Sequence, residues 1–315
     1  MLEANVGAWD ERRALSKVFQ DAPVSPPMQL LQISNRSGGP YHYYHFLLGV
    51  LCPLCIHILE LGPPPRPRML FHSCGPMDRL LKELAIPELI ICPRDEHAEA
   101  CATASKPEGI DHVVRTGFDF FPSYATFPGH SDYDSEDVRR GAAAVERLLH
   151  ERVATDIQAL AEWGPSRVVV IERGPSNPFY ATQPRGRTSG TKRRSIANHA
   201  DLVAALSERF PGLKNVHLED MPLTQQIALF RTADVVVAQH GAALANTIWM
   251  KRGTNVIEIA AEKNQPRNYF GKLATIFGVH HQFVLQEHNH SPVSVSDVLE
   301  RVTRAMAEPG AHSLQ

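Results

Sequence analysis

In the second half of the chain, RVVVIER, DVVVAQ and NVIEIA each carry an unbroken apolar centre, and stretches of helical periodicity separate them. A strand with one face in water alternates apolar and polar residues. A strand that is apolar throughout must be covered on both faces, as in a parallel sheet between two helical layers. The intervening pieces supply those layers. Residues 197–210 (ANHADLVAALSERF) read as an amphipathic helix, NVHLED as a short strand, TQQIALFRTA as a helix, and ALANTIWMKRG as a helix closed by Gly253. The first half repeats the alternation, with MQLLQI, RMLFH and ELIICP as strands and YHYYHFLLGVLCPLCIHILELG and PMDRLLKELAI as helices. The pattern predicts an α/β, doubly wound architecture with a ligand crevice at the carboxyl ends of the strands.

A chain of 315 residues exceeds what one hydrophobic core usually supports, so two domains are expected. A loop rich in Pro, Gly, Ser and Asp (FDFFPSYATFPGHSDYDSED) precedes a long helix predicted over residues 135–163, and GPSR then opens a new unit. The expected division is therefore 1–163 and 164–315. A net charge of -2 excludes a global field that would gather nucleic acid or an anionic membrane, so an anionic ligand must be held locally. No run approaches the roughly 18 apolar residues of a membrane span. The N-terminal MLEANVGAWDERRALSKVF is charged where a signal peptide needs an apolar core. The expectation is a cytoplasmic chain without a transmembrane segment, or a Golgi-lumenal one where an anchor precedes it.

All 5 cysteines lie in the first third, and an odd count is poor material for a disulfide framework. Cys52 and Cys55 form a CxxC inside an apolar run, with no second pair at zinc spacing, and read as core residues. His280, His281, His288 and His290 cluster near the end of the chain and read as a solvated face.

The segment with most chemistry is DVVVAQHGAALANTIW, where a strand ends at Gln239 and a turn of small residues, His240, Gly241, Ala242 and Ala243, opens into a helix. Such a terminus aims backbone N–H groups at an anion, and Gly241 permits close approach. His240 adds a donor for a diphosphate oxygen or a sugar hydroxyl. Arg173 follows VVVIE, and Arg185, Arg187, Lys192, Arg193 and Arg194 crowd the next loop. Arg173 and Arg194 lie nearest predicted element ends and are the candidates for bidentate phosphate contact, while Arg185, Arg187 and Lys192 read as solvated. Asn198 either caps the following helix or touches ligand. Glu258, inside an apolar strand, needs a partner: ribose hydroxyls, a backbone amide or an arginine. Asp132, Tyr133 and Asp134 spell a DxD, but in a polar loop, whereas a hard cation needs carboxylates on a rigid element; no metal is expected.

NVHLEDMPLTQQIALFRTADVVVAQHGAALANTIWMKRGTNVIEI and NYFGKLATIFGVHHQFV resemble the core of glycosyltransferase family 61, in which a strand, an HGA or HGAG turn, an apolar helix with Asn and a VIEI strand follow one another. VVVIERG with KRRSIANHADL is similar to the family's arginine after a strand and its RR(x)xxN block, and YHYYHFLLGVLCPL to its YYHFLL segment. The likeness runs from about residue 41 to 284, loosely between 57 and 167. It implies a GT-B fold, two Rossmann-like domains facing across a cleft. It also implies inverting transfer without a metal or other cofactor, from a nucleotide-sugar donor such as UDP-xylose or UDP-N-acetylglucosamine to a polysaccharide or glycoprotein glycan. By position, His240, Gly241 and Ala242 hold the diphosphate, Arg173 and Arg194 neutralise it, and Asn246 and Glu258 support the nucleotide side. The chain has HGAA where many relatives have HGAG. Inversion needs a base for the acceptor hydroxyl, and His45 of the YYHFLL segment is the candidate, with Asp119 and Glu96 behind it. A Rossmann oxidoreductase would want a GxGxxG set that is absent here, whereas a non-catalytic nucleotide- or carbohydrate-binding protein with a degenerate site stays open.

Overall fold

The computed structural model describes residues 28–33, 39–103, 112–116, 133–164, 167–182, 188–261 and 268–307. The first half holds β1 (Met28–Ile33), α1 (Tyr43–Glu60), β2 (Arg68–His72), α2 (Asp78–Lys82), β3 (Leu89–Cys92), α3 (Arg94–Thr103), β4 (His112–Thr116) and α4 (Ser135–Ala159). The second half holds β5 (Val168–Ile171), α5 (Gly190–Arg193), α6 (His199–Arg209), β6 (Lys214–Val216), α7 (Leu223–Thr232), β7 (Val235–Gln239), β8 (Asn255–Ala261), α8 (Tyr269–Phe277), β9 (His280–Gln286) and α9 (Val295–Ala307).

These elements form two compact units. The first carries β1–β4 and α3 in a sheet of order β3-β2-β1-β4, with Leu30, Leu70 and Cys92 at its core and β1, β2 and β3 mutually parallel. The second carries the other elements, so α1, α2 and α4, which precede the expected boundary at residue 164, fold with β5–β9. Its sheet is parallel throughout, with order β6-β5-β7-β8-β9. The two sheets, each with helices in the same unit, bear out the α/β fold class.

The unbroken apolar runs are explained by coverage on both faces. Val168, Val170, Val235, Val237, Ile257 and Ile259 meet Leu202 and Leu206 of α6 and Val298 and Val302 of α9 on one side. The alternate residues Val169, Val236, Ala238 and Val256 are equally buried on the other.

Several expected elements are shorter or different. PMDRLLKELAI is helical only to Lys82 after a 3-10 turn, Gly75–Met77, and the chain leaves the helix through Ala85 in the left-handed region. NVHLED pairs only to Val216 and then makes a 3-10 turn, Leu218–Asp220. The stretch ALANTIWMKRG forms a 3-10 helix, Ala242–Trp249. There Asn246 and Thr247 donate side-chain hydrogen bonds to carbonyls three residues back, Ala243 and Leu244, which favours the tighter turn.

Over its 18 residues α1 meets the length and composition of a membrane span, against the expectation that no run comes near it. In this protein 78% of that window is buried, packed along α4 and, at its first turn, against the 242–249 helix. Cys52 and Cys55 lie within it as buried free thiols, and burial pushes both well above the ordinary thiol range. A maleimide reagent is therefore expected to leave both unmodified in the folded protein and to label both in denaturant; peptide mass mapping before and after unfolding checks this. Labelling of either in the folded state would contradict the burial of α1.

Candidate functional site

Numbered from β5, the second sheet has strand order 2-1-3-4-5, so the direction of winding reverses between β5 and β7. A doubly wound sheet opens its ligand crevice at that reversal, beyond the strands' carboxyl ends. Arg173 follows β5 there, Gln239 ends β7 and His240 comes directly after it. The Arg173 guanidinium donates from Nε to Gln239 Oε1 at 3.0 Å and from Nη2 to the His240 carbonyl at 2.6 Å. Arg194 Nη1 donates to that same carbonyl at 3.3 Å. Gly241 is extended, and a Cβ there would lie 2.0 Å from Arg173 Nη2, so the close approach it permits in this structure is that of the guanidinium. Burial, and next the positive charge of Arg194, lower the Arg173 pKa to about 10, which leaves it charged at neutral pH.

Arg194 reaches this position through a docked turn. The α5 segment sits on Gly174, whose carbonyl accepts from Thr191 N at 2.9 Å. Gly190 makes the contact possible, because its φ of 55° is left-handed and a Cβ would meet the Gly174 oxygen at 2.3 Å. Lys192 and Arg193 are exposed, while Arg194 is half-buried. Arg185 and Arg187 lie outside the described residues.

A second array lies on the opposite face of the sheet from the α6–α9 core. Ala238, Glu258 and Phe283 are in register across β7, β8 and β9. His240, two residues beyond Ala238, and His281, two before Phe283, are therefore diagonal neighbours of Glu258 on its own face. Both use the relation: His240 Nδ1 hydrogen-bonds Glu258 Oε1, and His281 Nε2 lies 2.7 Å from Glu258 Oε2. The carboxylate is only 3% exposed. Burial pushes its pKa up, but the hydrogen bonds from the two histidines outweigh that and the net shift is downward. Both carboxylate oxygens are thus taken by imidazoles, and His281 belongs to this array and not to a solvated face. Engagement of Nδ1 fixes the orientation of the His240 ring, and Nε2 is the ring nitrogen that Glu258 does not engage. The Phe270 ring packs edge-on to it at 5.3 Å.

The remaining candidates take separate positions. Asn246 is fully buried, accepts from Tyr43 Oη at 2.7 Å and Trp249 Nε1 at 2.9 Å, and so joins α1 to the 242–249 helix beneath the turn. Burial pushes the Tyr43 hydroxyl well up, which keeps it a donor. Asn198 stands at the N-cap position of α6 but makes no capping bond; its amide pairs with both backbone groups of Val293, at 2.9 Å each. Ala242 is half-buried at the start of the 3-10 helix. His45 is half-buried in the first turn of α1, in ring contact with His42 and Tyr44, and Tyr44 in turn meets Phe270. Glu96 lies on α3 in the first unit. Asp119 and Asp132 lie outside the described residues, and Asp134 caps α4 through the Glu136 and Asp137 amides.

Sequence reasoning missed Gln239, which accepts from Arg173 and donates to Ser195 O at 2.9 Å and Gln286 Oε1 at 2.7 Å. Its signal was a polar residue closing an all-apolar strand, the same anomaly that marked Glu258. Glu219, on the turn after β6, was missed for want of the strand order that brings it beside Gly174.

Comparison with known proteins bears on the same stretch. Residues 43–257 match the family described as Glycosyltransferase 61, a span that includes Arg173, Arg194 and the His240 turn. The protein O-linked-mannose beta-1,4-N-acetylglucosaminyltransferase 2 of Homo sapiens is 33% identical over 99 residues, that of Canis lupus familiaris likewise, and that of Danio rerio 30% over 97. Each match covers 30% of this chain and 17% of the relative's length. Among solved structures, the E. coli ADP-heptose lps heptosyltransferase II aligns over 90% of this chain and 99% of its own, with TM-score 0.45 and 11% identity. With more than half of its length matching the family, this chain is a member of glycosyltransferase family 61.

Proposed function

We propose that the protein transfers a sugar from a nucleotide-sugar to a hydroxyl of a glycan, with inversion and without a metal, and that the diphosphate lies at the β5–β7 reversal. The observation that carries this reading is the convergence of Arg173 and Arg194 on one carbonyl at that point. Two guanidiniums held by the backbone supply the positive charge that a departing nucleoside diphosphate requires, at a position already organised before substrate arrives. His240, with Nδ1 engaged by Glu258, presents Nε2 as a further donor or acceptor. A UDP-sugar is the proposed donor, UDP-N-acetylglucosamine or UDP-xylose; the name of the mammalian and fish relatives, an N-acetylglucosaminyltransferase acting on O-linked mannose, favours the first. His45 is the proposed base, placed on the same unit by the first turn of α1.

The test is a thermal-shift screen against UDP, GDP, CMP, NAD and NADP, with and without a chelator, repeated on Arg173→Ala and His240→Ala. A ligand that binds only the native state raises the midpoint by mass action. We expect a nucleoside diphosphate to raise it in the presence of chelator and both substitutions to abolish the rise. Stabilisation by NAD or NADP alone, or by no nucleotide, overturns the donor site. His45→Ala is expected to keep the nucleotide shift while transfer falls by about 10²-fold or more, the usual weight of a positioned base.

A further inference from the structure

The two arginines account for a diphosphate, but not for the nucleoside attached to it. Glu258 is no longer available for that part, since its buried carboxylate is taken by His240 and His281. The strand order points elsewhere. In a doubly wound sheet the carboxyl end of the second strand borders the phosphate site of the first, and an acidic residue there receives ribose hydroxyls. The second strand here is β6, and three residues past its end stands Glu219. Its Oε1 lies 3.4 Å from the amide of Gly174, the residue that follows Arg173.

The turn that presents Glu219 is held firmly from within. Arg79 donates to the Glu219 carbonyl at 2.7 Å and to the Met221 carbonyl at 3.0 Å. Gln226 donates to the carbonyls of Leu218 at 3.1 Å and Met221 at 2.9 Å, and the Leu218 side chain is buried. The carboxylate itself is exposed. It lies close enough to Arg173 and Tyr180 to act on both electrostatically, and, after burial, it is the main influence that pushes the Tyr180 hydroxyl up to about 12. Yet Glu219 forms no ion pair among the described residues, and none of their hydrogen bonds uses Oε2. A carboxylate near Arg173 that makes no ion pair with it leaves its own oxygens for hydroxyl donors. A vicinal diol is the neutral ligand that matches two adjacent carboxylate oxygens.

We propose that Glu219 accepts the 2′- and 3′-hydroxyls of the donor's ribose, so that this protein selects ribonucleotides over deoxyribonucleotides. The inference rests on the donor site argued above and adds the ribose subsite to it. The experiment is calorimetric titration of the full chain with UDP, 2′-deoxy-UDP, 3′-deoxy-UDP and pyrophosphate, with GDP and 2′-deoxy-GDP as a second pair, on wild type, Glu219→Gln and Glu219→Ala. Loss of a hydrogen bond to a charged acceptor is expected to weaken the deoxy forms by about tenfold or more on wild type. In both variants UDP should fall to the level of its deoxy forms while pyrophosphate binds as before, with unchanged melting midpoints because Glu219 is exposed. Equal binding of ribo and deoxy forms by wild type, or discrimination that survives Glu219→Ala, overturns the ribose assignment and leaves the donor site standing. Failure of wild type to bind any nucleoside diphosphate or pyrophosphate overturns both.

Discussion

A single methyl group added at Gly241 is expected to lower kcat/KM for sugar transfer by about 100-fold while shifting the melting midpoint by no more than roughly 2–4 °C. The glycine's φ of 165° is extended backbone that alanine adopts without strain, so the effect is not conformational. It is a displacement. The new Cβ would lie 2.0 Å from Arg173 Nη2 and 3.1 Å from its Cζ, and of the atoms involved only the far end of the arginine side chain is able to yield. Yielding breaks the 2.6 Å bond to the His240 carbonyl and the 3.0 Å bond to Gln239, and with them the convergence of Arg173 and Arg194. A preorganised group aimed at developing charge is worth about 10²–10³ in kcat, whereas one half-exposed hydrogen-bonded side chain is worth about 1 kcal/mol of stability. Gly241→Ala, Arg173→Ala and the double variant should therefore be nearly equal in kcat/KM, because the second change removes what the first has already displaced. Wild-type activity in Gly241→Ala would mean that the guanidinium position has no part in donor handling, and additive losses would mean that Gly241 acts through something other than Arg173.

That glycine shows what sequence reading reaches and what it misses. The need for a residue without a side chain was legible in HGAA, but the group that uses the space was not, because Arg173 is separated from Gly241 by two strands and three α-helices. The strands themselves were legible since VVVI, VVVAQ and NVIEIA are apolar on both faces and only a two-sided layer accepts them. The polar α3 and the short β4 carried no such pattern and went unread. Glu258 announced that it needed a partner, and the sequence left ribose, amide and arginine open. The answer, two histidines, depends on the register of β7 and β9 against β8, and no local pattern encodes register between parallel strands joined through helices. The same holds for Glu219, whose meaning comes from β6 lying beside β5. The 242–249 segment had helical periodicity, and the choice of the 3-10 form over the α form turned on side-chain hydrogen bonds from Asn246 and Thr247 that periodicity does not report.

Removal of the Glu258 carboxylate is expected to cost about 3–5 kcal/mol in Glu258→Ala, the range for deleting one member of a buried charged pair. The residue is 3% exposed, and its loss strands two imidazoles that are themselves only 12% and 13% exposed at the side chain. Glu258→Gln keeps the shape but offers one acceptor oxygen in place of two, so one histidine must give up its bond; we expect a smaller stability loss, with transfer activity reduced through the orientation of His240. The pH dependence carries a definite sign. Because the folded carboxyl lies below its ordinary value of 4.5, the stabilisation it contributes is fully present above that value and is lost as pH falls through the folded pKa. Urea unfolding of wild type and Glu258→Gln should accordingly show a free-energy difference that is steady from pH 6 to 5 and narrows below about 4.5. A difference that widens as the pH falls would mean that the folded protein favours the protonated acid, in which case burial outweighs the two histidines and Glu258 is not the anionic centre that orients His240.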